Sequence, residues 1–297
     1  MKKILVLTDF SEASHNALAV ARSLFSEIDA DFNLLCVHPQ RSQGFTPLFN
    51  FGTARVDYDD LFQNLLMELQ GQASTERHTF RSSVCPGQLL QTVERAVLLE
   101  GYDLVVIGAR KDSFEWFGQR ATNLIDQLKS NLLIVPVNMS SRRVHEVVLA
   151  TDLANPVDTE QLSSLKELIT IKGASLVLLN IDTPPKSVMH YEKETLIQQY
   201  FTPIQPAIVH LQALDARQGI DAYLAAHSVD LLVTIPYHRW RTDRLASGRK
   251  KHAQPFIASV PMLTLYDDGS KAQSKSADRL ATRTYVRQPY KPLILAG

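Results

Sequence analysis

One pattern, an apolar strand closed by a carboxylate, occurs twice in this chain and limits what it can fold into. Ile4-Leu5-Val6-Leu7-Thr8-Asp9 is an unbroken apolar run ending in a polar pair, and Val147-Val148-Leu149-Ala150-Thr151-Asp152 repeats it. A run that is apolar at every position, not at alternate ones, fits a parallel strand covered on both faces. After each Asp the period becomes helical. Ser11 to Leu24 places Leu18, Ala21 and Leu24 on one stripe, and Asp158 to Ile171 does the same with Leu162, Leu165, Leu168 and Ile169. The later segments also come in pairs. Asp31 to His38 matches Ala174 to Asp182 as a second strand, and Tyr102 to Gly108 matches Val229 to Pro236, with Asp103 answering Asp230. Helical segments at Leu89 to Leu99 and Ile220 to Ala226 precede this last pair, and Leu132 to Pro136 and Pro261 to Leu265 close the two series. Strands alternating with helices in one order, twice over, predict two tandem α/β units, each a doubly wound parallel sheet with right-handed crossovers.

The length of 297 residues agrees with two domains of ordinary size and a remainder. The spacing places the first over residues 1–138 and the second over 144–267, with Asn138 to Arg143 as linker. Residues 268–297 form a C-terminal extension of Asp, Ser, Lys, Gln and Arg, with little to bury before Pro292-Leu293-Ile294-Leu295. This end is read as a flexible extension, or as a segment that docks on a partner or on its own body. If the closing strand of each unit is a sheet edge, its unpaired backbone groups need a partner, and the other unit supplies one. Leu132 to Val137 and Met262 to Leu265 are therefore expected to meet across an internal pseudo-two-fold, making a pseudo-dimer within one chain. Association of two chains into a homodimer is left open.

Charge narrows the partners. Lys plus Arg and Asp plus Glu number 31 each, so no net field selects nucleic acid or an anionic membrane. The apolar run after Met1-Lys2-Lys3 stops at Asp9, too short for an export signal, and no stretch reaches the ~18–20 apolar residues of a membrane span. Cys36 and Cys85 fall in strands without a paired spacing, which fits a reducing cytoplasm. The nine histidines show no HxxxH or HExxH spacing, so no metal site is expected. No GxSxG elbow, Walker loop or GxGxxG follows a strand, and no nucleophile and base stand together, so no catalytic residue is assigned and no enzyme is expected.

The order of Ile4 to Ser11 (ILVLTDFS), Tyr102 to Thr122 (YDLVVIGARKDSFEWFGQRAT) and the closing LLIVP resembles the universal stress protein family. The resemblance covers residues 1 to about 138, with a fainter version over about 144 to 267. It implies a five-stranded parallel sheet flanked by helices, a stress-response role, dimerisation through the last strand and, in many members, bound ATP. The family's phosphate loop has a Gly, two residues, a second Gly, nine residues, then Gly-Ser or Gly-Thr. Here these positions hold Gly108, Lys111, Ala121 and Thr122. Such loops present backbone N–H groups to phosphate in bends that glycine adopts cheaply, so the two replacements weaken the grip. Thr122 and Arg110 remain able to meet phosphate by hydroxyl and charge.

By this resemblance Asp9, Val37, Gly108, Arg110 and Thr122 make a nucleotide site in the first unit. Asp9 would face the nucleoside, and the Val37 backbone would meet adenine. Each has a plainer reading: Asp9 as a helix cap competing with Ser11, Gly108 as a strand-to-loop turn, Thr122 as an N-cap. In the second unit Ile235, Pro236 and His238 occupy the loop's first positions, and Arg249 follows Gly248. Pro236 lacks an N–H, which argues against a phosphate cradle there. The basic run from Arg239 to Lys251 around Trp240 is read either as an anion patch or as a solvated helix face. Two functions follow: a cytoplasmic stress-response protein binding ATP or another adenine nucleotide weakly in its first domain and signalling to an unidentified protein partner, or a nucleotide-free interaction scaffold.

Overall fold

The computed structural model describes residues 1–38, 57–72, 77–109, 124, 127–139, 143–151, 161–182, 191–235 and 259–266. Ten strands form one sheet. They are β1 (Lys2–Leu7), β2 (Ala30–His38), β3 (His78–Pro86), β4 (Leu104–Ala109), β5 (Asn131–Pro136), β6 (Glu146–Thr151), β7 (Ser175–Asp182), β8 (Ala207–Gln212), β9 (Leu231–Thr234) and β10 (Met262–Thr264). The helices are α1 (Glu12–Leu24), α2 (Tyr58–Gln72), α3 (Leu89–Glu100), α4 (Ser163–Lys172), α5 (Tyr191–Phe201) and α6 (Ala216–Ala226). Strand order is β3-β2-β1-β4-β5-β10-β9-β6-β7-β8, which reads as one half followed by its reverse. All neighbours are parallel except at the centre, where β5 and β10 run antiparallel with Leu133 opposite Leu263. The expected meeting of the closing strands is thus observed, over Leu132 to Ile134 and Met262 to Thr264.

Alternation of side chains along each strand divides the apolar residues between two faces. Ile4, Val6, Phe32, Leu34, Val106, Leu133, Val147, Leu149 and Leu263 share one core with α1, α2, α4 and α5. Leu5, Leu7, Val105, Ile134, Val148, Leu179 and Met262 share the other with α3 and α6. Each core contains residues of both halves, so the junction is part of the packed interior and not a hinge between two globules.

Local signals explain the individual elements. Ser11, in extended backbone, caps α1 by accepting the Ser14 N–H, and Ala13, Ala17, Leu18, Ala21 and Leu24 put its buried stripe on the sheet. The α3 helix closes on Gly101 in the left-handed region at φ 66°, where a side chain would be strained. Asp103 and Asp230, paired by the repeat, do equivalent work: Asp103 Oδ2 accepts the Lys3 N–H at 2.8 Å, and Asp230 Oδ2 accepts those of His145 and Glu146 at 2.8 and 3.0 Å. Each carboxylate ties the start of a central strand to the loop before its neighbour.

Polar contacts also join the halves. Lys172, nearly sealed from solvent, donates to the Ser23 carbonyl, to Ser26 Oγ at 3.3 Å and to Glu27, and Lys2 pairs with Glu167 at 2.8 Å. Partial desolvation pushes the Glu27 carboxyl up, but the hydrogen bonds from Lys172 and Ser26 and the ammonium charge outweigh it, leaving the group below its ordinary value. A carboxyl lowered by folding contributes stability above its unfolded range and loses it as pH falls through the folded value. Glu27→Gln is therefore expected to flatten the acid limb of a stability-against-pH curve below about pH 5. Identical acid limbs for variant and wild type would show that this pair contributes nothing.

Candidate functional site

Strand lengths make the site. The β1–β2 ladder ends at Leu7 opposite Leu35, extended by the Thr8 N–H to the Leu35 carbonyl at 2.9 Å, while β2 runs on to His38. On its other side β1 last pairs β4 at Val6–Val106, and Ile107, Gly108 and Ala109 continue against β5. The central strand therefore stops short between two longer neighbours, leaving a notch at its carboxyl end. This is also where the chain's direction of winding reverses, the place at which open α/β sheets take ligands.

Asp9 stands exposed at the floor of this notch. Its Oδ1 accepts the Ser11 N–H at 3.0 Å, and Phe10 between them adopts φ 60°. That left-handed bend is uncommon outside glycine and is held by the Phe10 N–H donating to Thr8 Oγ1 at 3.1 Å and by its ring against Phe62 at 4.8 Å. Ser11, not Asp9, is the helix cap, so the Asp9 carboxylate fixes the turn and keeps one oxygen beyond this bond. Val37 lies on the part of β2 past the last β1 pair. Beside it the Cys36 thiol is pushed up by burial and then by the Asp9 charge, which keeps it protonated and unreactive. Tyr58 stacks on His38 with centroids 5.5 Å apart, so His38, Tyr58, Phe10 and Phe62 form an aromatic wall along one side.

Gly108 is a strand residue, paired with Val135, and not the strand-to-loop turn that was one reading of the sequence. Its missing side chain has a packing cause: a Cβ there would lie 2.2 Å from the Ala13 carbonyl oxygen and 2.9 Å from the Ser14 nitrogen. The first turn of α1 rests directly on β4. Arg110 and Thr122, with Lys111 and Ala121, lie outside the described residues. Among the residues brought together, then, are Asp9, Val37 and Gly108, and the aromatic wall joins them. Sequence reasoning missed Tyr58 and Phe62, whose signal was the helical spacing Tyr58, Phe62, Leu65, Leu69.

The second half differs on its β9 side. Its ladders align Ile235 with Gly108, and β9 ends at Thr234, level with Ala150 of β6, whereas β7 runs past its last β6 pair at Asn180 to Asp182, so among the described residues a wall rises beyond the central strand on the β7 side alone. A side chain at Ile235 is incompatible with the close approach that the first turn of α1 makes to Gly108. The ladders likewise place Asn180 and His210 where the first half has Cys36 and Val84. Asn180 Nδ2 lies 3.2 Å from His210 Nδ1, and His210 Nε2 lies 3.4 Å from the buried Glu194. Asp152, Pro236, His238, Gly248 and the basic run 239–251 fall outside the described residues. Among the described residues no group of three metal-ligating side chains occurs, and no helix is long and apolar enough to cross a membrane.

A doubly wound sheet with a notch at its switch point is an open α/β architecture, here duplicated and fused along the closing strand. Residues 1–136 match the model of the universal stress protein family. The whole chain is similar in fold to a universal stress protein from Archaeoglobus fulgidus DSM 4304, with TM-score 0.63 and 13% identity, covering 89% of this chain and 98% of that one. A protein of unknown function from Pseudomonas aeruginosa PAO1 gives 0.53 and 14%, covering 95% and 98%. The cytoplasmic domain of a prokaryotic cation chloride cotransporter gives 0.53 and 12%, covering 90% and 96%. At such identities the likeness is one of fold, which different activities share. No curated protein matches by sequence.

Proposed function

We propose that the first half binds an adenine nucleotide weakly in the notch at the end of β1, as a universal stress protein that signals occupancy to a protein partner and does not turn the ligand over. The supporting observation is an asymmetry of strand lengths: β2 and β4 both outrun β1, whereas beside β6 the strand β7 does so and the described β9 does not. Backbone beyond the last ladder pair at Val37 offers hydrogen-bonding groups to a base edge, the His38–Tyr58 stack offers an apolar flank, and Asp9 offers a carboxylate acceptor to ribose hydroxyls. The same negative charge turns phosphates away from Asp9 toward the β4 side, where Arg110 and Thr122 follow in the sequence. Lys111 and Ala121 in place of glycines reduce the backbone grip and keep the affinity modest.

Calorimetry with ATP, ADP and AMP tests the proposal. Binding in the micromolar-to-millimolar range is expected, weakened about tenfold by Asp9→Ala, the usual worth of a hydrogen bond to a charged group. No heat at millimolar nucleotide would remove this reading. It would favour a second, the nucleotide-free interaction scaffold, for which one feature already speaks: Gly108 is accounted for by α1 packing without any ligand. Phosphate release by the purified protein would overturn both in favour of slow hydrolysis.

A further inference from the structure

The second half puts polar groups where the first has its aromatic wall. By the ladders Asn180 and Asp182 of β7 take the places of Cys36 and His38, and His210 of β8 takes that of Val84. Glu194 heads the buried stripe of α5, ahead of Ile197 and Phe201, and its carboxylate meets His210 between helix and sheet. Asn180 Nδ2 lies 3.2 Å from His210 Nδ1 and 3.5 Å from Asp182 Oδ1. An amide N–H can only donate to these neighbours, which fixes the orientation of the amide and leaves the ring its proton on Nε2. Nε2 is 3.4 Å from Glu194 Oε1, outside hydrogen-bond geometry. Asn180 is 2% exposed and Glu194 5%, and Asn180 Oδ1 and Glu194 Oε1 are buried without a hydrogen-bond partner. The cluster therefore holds two carboxylates and more acceptors than donors, and buried acceptors are unfavourable unless a donor reaches them. The His210 side chain, 35% exposed, opens the cluster to solvent.

We propose that this cluster is a ligand site for the ammonium head of a small primary amine. An ammonium carries three diverging donors on a compact head, so it can reach oxygens on different elements, Asn180 on β7 and Glu194 on α5, while its charge offsets the carboxylates. A guanidinium, whose planar fork pairs both oxygens of one carboxylate, suits this arrangement less well. Phosphate is turned away by the same charges, so the second half does not repeat the ligand of the first. Because β5 and β10 run antiparallel while the strands within each half run parallel, the two halves point their strand ends in opposite directions. The amine site and the notch thus lie at opposite ends of the sheet. Amine binding therefore does not depend on nucleotide binding in the first half.

Methylammonium chloride titrated into the full chain at about pH 8, where the amine is charged, tests the site, with total salt held constant by sodium chloride. The reporter is the His210 ring signal in NMR spectra, assigned by its loss in His210→Gln. A saturable shift is expected, with half-saturation on the order of 10 mM for a single small head group. Tetramethylammonium has the same charge but no N–H, and should leave the signal in place. Glu194→Gln keeps the shape of the side chain and should weaken the response at least about tenfold. The tetramethylammonium comparison needs no variant, so it decides the question even where Glu194→Gln folds poorly. No saturable shift in the wild type, an equal shift with tetramethylammonium, or a shift undiminished in folded Glu194→Gln overturns the proposal.

Discussion

Gly108→Ala is expected to cost about 3 kcal/mol, the upper end of what overpacking a close-packed interior costs. The new methyl would stand 2.2 Å from the Ala13 carbonyl oxygen and 2.4 Å from its carbon, both backbone atoms that no rotamer change can move. α1 must retreat as a unit by about 1 Å, loosening Ala17 and Ala21 against the sheet, because packed interiors have no slack to absorb such a shift locally. Urea denaturation measures the loss. Gly71→Ala is the control: nothing lies within 4 Å of its added Cβ, and helix propensity predicts a gain of about 0.5–1 kcal/mol. If Gly108→Ala unfolded at the wild-type midpoint, the direct seating of α1 on β4 would be wrong. The same variant also weighs on ligand binding, since Ser11, Asp9 and the turn at Phe10 all move with the start of α1.

The second large effect is expected at the junction. Leu133 is fully buried, lies opposite Leu263 across the antiparallel seam and opposite Val106 within its own half. Leu133→Asp would place a carboxylate in the core shared by both halves with nothing charged to meet it, at a cost on the order of 5 kcal/mol. Because each core spans the seam, the wild type is expected to unfold in one transition. In Leu133→Asp the transition should split or the protein should aggregate through the bared edges of β5 and β10. A single transition at an unchanged midpoint would show that the halves do not depend on the seam.

Much of this was legible in the sequence, and the reason is burial. β1, β2, β4, β5, β6, β7 and β9 are covered on both faces, so nearly every residue must be apolar and the runs stand out. The edge strands are the harder ones to see: the sequence places Cys85 in a strand, but neither β3 nor β8 is bounded or placed in the repeat, since Thr79, Arg81, Ser82, His210 and Gln212 face solvent and dilute the pattern. Five strands per half came instead from the family resemblance. Helices α2 and α5 were also passed over, although Phe62, Leu65 and Leu69 in one and Ile197 and Phe201 in the other carry a helical stripe.

What the sequence alone determined was the repeat, its order and the residues that end the central strands, because periodicity and burial act locally along the chain. Asp9 could be singled out, but not that Ser11 would take the cap. Gly108 could be singled out too, but not that the Ala13 carbonyl in the first turn of α1, distant in the chain, is what excludes its side chain. The notch itself is decided only in three dimensions: it arises from where neighbouring strands stop relative to one another, a register between segments far apart in the chain that no single segment encodes.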